Sequence, residues 1–136
     1  MLVWLTDWQL AEDHLLVTRD DVVDWTLYPA DRDWLTRLFG HAPAEWQVDT
    51  YGDAVDQPSR RVRGRVDDLR SVRCRQLATE EGIVPVRGQA TLHPVHDTSA
   101  SWTRAHRDDA SGALYGYLAS VVDAADAGEA RARRAG

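Results

Sequence analysis

The 136-residue sequence predicts a mainly β protein, an antiparallel β-barrel or strongly bent sheet with one short α-helix over about residues 31–40. Three observations carry that expectation. Short segments rich in valine and tryptophan alternate with a two-residue period and are separated by turn-forming residues. Only the stretch around residues 31–40 changes clearly to helical spacing. No strand–helix–strand alternation of the kind that builds a parallel sheet occurs.

The opening Leu2-Val3-Trp4-Leu5-Thr6-Asp7-Trp8 is β-branched and aromatic, and reads as a strand that buries Leu2 and Trp4 or their neighbours. Glu12-Asp13 interrupts the pattern, His14 to Val17 resumes it, and Arg19-Asp20-Asp21 has turn character. Val22 to Tyr28 is the strongest strand. Val23, Trp25 and Leu27 are expected to face the core, and Val22, Asp24, Thr26 and Tyr28 the other way. Pro29 closes it. In the helix, Asp31 is placed to N-cap, Asp33 complements the dipole, and Gly40 sits where a C′ residue belongs. Trp34, Leu35, Leu38 and Phe39 form its apolar stripe.

Glu45 to Tyr51 reads as a further strand ended by Gly52-Asp53, with a loop through Gln57-Pro58-Ser59. Arg61–Arg65 and Arg70–Leu77 read as two strands, in which Val62, Val72 and Cys74 alternate with arginines on a wet face. Gly64 marks a bulge or a close approach. Ile83–Val86 and Gln89–Val95 continue the β character, with Pro85 and Pro94 confined to edges or strand ends because proline cannot donate to a ladder. Ser101–His106 is a weaker strand. Within residues 113–122, Leu114, Leu118 and Val121 suit a helix while Tyr115, Gly116 and Tyr117 suit a strand, and strand is preferred. Residues 1–122 are therefore expected to form a single β-rich domain. Residues 123–136 follow as an Ala/Arg-rich tail, a frayed helix or disordered, because they have almost nothing to bury.

Charge is distributed unevenly. Residues 1–59 carry net −9, residues 60–75 net +5 and the remainder net −2, for −6 overall. The acidic bulk opposes phosphate, so a general nucleic-acid binder is disfavoured. No apolar run approaches the roughly 20 residues of a membrane span. The opening residues lack the features of a secretory signal, and a cytoplasmic location is expected. The single cysteine, Cys74, can form neither an internal disulfide nor a cysteine-rich zinc site. All sixteen basic residues are arginine, and alanine and aspartate abound, as in a GC-rich, actinobacterial genome.

Val3-Trp4-Leu5-Thr6-Asp7-Trp8-Gln9, Asp21-Val22-Val23-Asp24-Trp25-Thr26-Leu27, Val62-Arg63-Gly64-Arg65-Val66 and Gly116-Tyr117-Leu118 together carry a resemblance over most of the chain. The sequence resembles a family of small actinobacterial, Streptomyces-like proteins of unknown function. These motifs define strands, so the resemblance implies fold and source and brings no activity, cofactor or catalytic residue. Between Gln9 and Asp20, where other members have cysteines and glycine, this chain has Leu10-Ala11-Glu12-Asp13-His14, and no metal or redox role is carried over.

Five features of the sequence bear on chemistry. His93, His96 and His106, with Asp97, offer metal-ligating types, but Pro94 disfavours helix and residues three apart on a strand face opposite ways. No metal site and no cofactor are assigned. Ser99, Ser101 and Cys74 lack any nucleophile signature, and Asp20-Asp21, Asp67-Asp68 and Asp108-Asp109 read as turn residues whose side chains diverge. The concentrated basic feature lies between residues 60 and 75, where Arg61, Arg63, Arg65, Arg73 and Arg75 are the candidate binding residues on a two-stranded ribbon. Such a face would suit an acidic protein or an anionic small molecule. The six tryptophans are expected mainly to fill the core.

The functional expectation is a non-catalytic binding or interaction module working through the arginine ribbon. The alternative is a small barrel enzyme or ligand carrier, its pocket lined by Trp4, Trp25 and Trp46 with His93, His96 or His106 as the polar group. No oligomeric state is assigned.

Overall fold

The computed structural model describes residues 1–13, 15–48, 58–102, 108–109 and 112–123. In chain order the elements are β1 (Leu2–Thr6), α1 (Asp7–Glu12), β2 (Val22–Pro29), α2 (Arg32–Phe39), β3 (Trp46–Gln47) and β4 (Arg60–Cys74). They continue with β5 (Gln76–Thr79), β6 (Gly82–Pro85), β7 (Thr91–Pro94), a 3-10 turn at Ser99–Trp102, β8 (Asp108–Asp109) and β9 (Gly112–Asp123). Seven strands form one sheet in the order β7-β4-β2-β3-β1-β9-β8, and an additional β4–β9 pairing bends five of them into a ring. Among the described residues, strands β5 and β6 pair with each other alone, as a projecting hairpin.

The fold is mainly β, as the periodicity predicts, and the sheet is ring-like rather than a clean barrel. Strand β3 explains the difference. Among the described residues, the pairings that bridge β1 and β2 run through Trp46 and Gln47 alone. The β1–β3 pairing is also parallel, where an antiparallel arrangement was expected; every other pairing is antiparallel.

Strand β4 is the spine of the ring. Its first half pairs with β2 from Arg60 to Arg65, its second half with β7 from Arg70 to Arg73, and β9 runs beside it from Gly64 to Cys74. The sequence divides this stretch into two strands because the apolar alternation breaks at Asp67-Asp68. In the structure the register shifts between Val66 and Asp68 and again between Val72 and Arg73, so irregularities bend a continuous strand instead of ending it.

Two apolar clusters share β1. Val3 and Leu5 join Leu27, Val62, Leu69 and Tyr117 inside the ring. Trp4 points the other way and packs with Leu35 and Leu38 of α2 and with Val72, Cys74 and Leu118. Both faces of β1 are therefore covered from Val3 to Thr6, whereas Leu2, expected inside, is exposed. The chain then turns helical at Asp7, not continuing as strand through Trp8. This one-and-a-half-turn helix buries Leu10 in the ring, and an element so short leaves no helical period to read.

Helix α2 forms as its caps dictate. The Asp31 carboxylate accepts from the Trp34 amide at 3.0 Å, and Gly40, at φ 81°, donates its amide to the Thr36 carbonyl. In β2, Trp25 and Leu27 are buried while Val22, Asp24 and Thr26 are exposed, as the alternation predicts. Residues 112–123 are strand, and Pro85 and Pro94 end β6 and β7.

Leu15–Val17 are not strand. They run to a bridge between Thr18 and Asp97, and the Asp20 amide and Asp21 carbonyl hydrogen-bond Val66 at the β4 irregularity. Of the strand expected over Glu45–Tyr51, Trp46–Gln47 is present and residues 49–57 lie outside the described residues; Ser101 and Trp102 belong to the 3-10 turn, and residues 103–107 lie outside as well. Asp123 is the last residue of β9, and the remainder of the tail falls outside the described residues.

Candidate functional site

Before its first irregularity, β4 alternates cleanly: Val62, Gly64 and Val66 are buried, and Arg61, Arg63 and Arg65 are exposed. Cross-strand partners share a face, so the register Val22↔Arg65, Asp24↔Arg63 and Thr26↔Arg61 sets the three arginines beside an exposed row on β2. Arg61 reaches diagonally to Asp24, with Nε to Oδ1 at 2.9 Å and Nη2 to Oδ2 at 3.1 Å. That hydrogen bond holds the Asp24 carboxyl below its ordinary value against an opposing desolvation, with lesser help from the charges of Arg61 and Arg63. Among the described residues, neither Arg63 nor Arg65 forms an ion pair. Val22, 67% exposed, adds an apolar patch at the Arg65 end.

The other arginines are dispersed by the bends in β4. Arg70 is exposed and paired with Asp68 at 2.8 Å. Arg73 is only 7% exposed, and its Nη1 donates to the Gly112 carbonyl. Arg75 is exposed but lies beyond the end of β4, where its carbonyl accepts from the Val86 amide. The ribbon proves to be one strand edge-to-edge with β2, presenting Arg61, Arg63 and Arg65 together and withdrawing Arg73.

The histidine and tryptophan set does not converge among the described residues. His93 is half-buried with Nε2 2.9 Å from the Thr91 hydroxyl, His96 is exposed, and His106 lies outside the described residues. Asp97 is held below the usual carboxylate value by the Ser99 side chain and amide, with His96 adding a smaller electrostatic pull. No group of three metal-ligating side chains occurs among the described residues. Trp25 packs inside the ring and Trp4 outside it, in different clusters. Trp46 borders an open concavity of about 380 Å3 with Met1, Leu2, Pro43 and Arg60.

A buried polar group inside the ring escaped the sequence reading. Thr98 and Ser101 are fully buried; the Ser101 hydroxyl donates to the Tyr117 oxygen at 3.1 Å, and the Tyr117 hydroxyl donates to the Thr98 carbonyl at 3.4 Å. Burial pushes the Tyr117 phenol up, the Ser101 hydrogen bond opposes that, and the nearby Asp7 charge raises it further. Asp7, Ser101 and Tyr117 stand 110 residues apart at the extremes, and only the folded ring reveals their association. A buried aspartate directly after a strand of apolar residues was the available signal.

No helix among the described residues is long and apolar enough to cross a membrane. The molecule is thus a mainly β protein, a ring-like sheet braced by one two-turn helix, with a basic strand face. Residues 1–124 match the model of a family of unknown function, DUF6578, and the chain belongs to that family. No curated protein and no solved structure shows significant similarity to it.

Proposed function

We propose that this chain is a non-catalytic binding module whose docking face is the outer surface of β2 and β4, with Arg61, Arg63 and Arg65 receiving an acidic protein segment. The exposure of these three guanidiniums on one straight stretch of strand, two of them without an ion-pair partner among the described residues, carries the reading. Alternate residues of a strand repeat at roughly 6.6–6.8 Å, and an extended acidic peptide presents every second carboxylate at that same interval. Arginine suits this role because its planar fork grips a carboxylate through two hydrogen bonds. Nucleic acid is not the proposed partner, since the chain carries net −6 and would repel phosphate beyond the basic patch. The setting we infer is an actinobacterial cytoplasm, supported by the all-arginine basic set and the lone, buried Cys74.

The test is a titration of isotopically labelled protein with a peptide of alternating glutamates. Amide shifts should cluster at residues 61–65 and 22–26, and roughly 0.5 M salt should abolish them. Arg63→Glu with Arg65→Glu should remove binding while the fold persists. Equal binding by that folded double variant would sink the proposal.

A further inference from the structure

Hairpin β5–β6 leaves β4 immediately after Cys74 and faces α2 across a cleft of about 660 Å3. That volume lies within the usual range for small-molecule sites. Its two walls are tied together at the base. The Gly88 amide donates to the Arg37 carbonyl at 2.9 Å and the Ala90 amide to the Leu38 carbonyl at 3.0 Å, joining the segment after β6 to α2. The Val86 amide donates to the Arg75 carbonyl, and the Cys74 thiol to the Val86 carbonyl, anchoring the same segment to β4. The cleft is therefore built before any ligand arrives, which removes an ordering cost from binding.

The hairpin wall is apolar. Leu77 and Val84 are directly opposed in the β5–β6 register, so they share a face, and Pro85, at the end of β6, also lines the cleft. Leu77 is 54% exposed and so is accessible from the cleft. The polar end is cationic. Because the Gly88 amide binds the Arg37 carbonyl, Arg37 and Arg87 emerge from adjoining backbone, and both line the cleft. Among the described residues neither forms an ion pair. Asp33, one turn before Arg37, also lines it, leaving a lining of one net positive charge within a chain of net −6.

We propose that this cleft binds a small amphiphilic carboxylate, its apolar body against Leu77, Val84 and Pro85 and its head group between Arg37 and Arg87. The single net charge fits a monoanion, and two guanidiniums offer forks to both carboxylate oxygens. The site is separate from the β2–β4 face, so either assignment can fail without the other.

Octanoate, octan-1-ol and octylamine titrated into the full chain provide the test, followed by calorimetry and by methyl shifts of Leu77 and Val84. Octanoate should bind saturably at one site, the alcohol and the amine at least about tenfold more weakly. Arg37→Gln with Arg87→Gln, both exposed positions, should weaken octanoate by a similar factor without altering the circular dichroism spectrum. Leu77→Ser should weaken it independently through the apolar wall. Failure of octanoate to saturate, equal binding of octan-1-ol, or unchanged affinity in the folded arginine double variant would each overturn the assignment.

Discussion

Gly64 of β4 lies directly against the Val122 carbonyl of β9, with no room between them for a side chain: a Cβ on Gly64 would collide with that oxygen and lie 2.9 Å from Val121 Cγ1. These two strands close the ring. The buried face of β4 therefore needs a residue without a side chain at this point.

Gly64→Ala should cost on the order of 1–3 kcal/mol, because the added methyl meets backbone that cannot swing aside. Urea denaturation measures it. A loss below about 0.5 kcal/mol, the range of a neutral surface change, would show that β9 can move away from β4 and that the ring is less tightly closed than described.

Asp24 restrains one of the three arginines of the docking face. Both side chains are largely exposed, so Asp24→Asn should leave the thermal midpoint nearly unchanged. Affinity for the alternating-glutamate peptide should rise, since Arg61 is released and a repelling carboxylate removed. Weaker binding by this variant would indicate that the Asp24–Arg61 pair organises the face instead of competing for it.

Tyr117→Phe removes the hydrogen bond from the buried Ser101 hydroxyl and one of the two donors to the Thr98 carbonyl, which keeps the Ser101 amide, and should cost about 1–3 kcal/mol. It also has a pH signature. Burial raises the Tyr117 phenol above its ordinary 10.0 and the Cys74 thiol above 9.0, the latter against weaker opposing bonds to Val86 and Gln89. A group raised in the folded state keeps its proton while the unfolded chain loses it, so its stabilisation is intact below the unfolded value and declines as pH climbs toward the folded one. Stability should accordingly fall from about pH 9 upward, and Tyr117→Phe should flatten the part above pH 10. Denaturation midpoints recorded between about pH 7 and 11 read this directly, and an identical slope in the variant would refute the assignment to Tyr117.

What was legible from the chain was whatever depends on neighbours in sequence. The capping of α2 by Asp31 and Gly40, the in-and-out alternation of β2, and the strand ends at Pro85 and Pro94 all follow from local backbone rules, whereas at Gly64 the sequence leaves a bulge and a close approach open and only β9 decides between them. The exposed run Arg61, Arg63, Arg65 was equally readable, because an unbroken two-residue period fixes which side chains are wet. Arg73 was not. Register shifts at Val66/Asp68 and Val72/Arg73 change the phase of β4, and no single-strand pattern announces where a partner strand slips.

Local chemistry thus determined the mainly β class, the one well-capped helix and the sign of the charge on the first half of β4. Only the tertiary structure decided that β4 pairs with β2, β7 and β9 in turn, that β1 is covered on both faces, and that Arg37 and Arg87 line one cleft. The physical reason is that burial and charge environment are set by residues distant in sequence. A periodicity records which side of a strand is apolar, whereas a bulge, a parallel pairing or a hairpin folded against a helix depends on surfaces that exist only once the ring has closed.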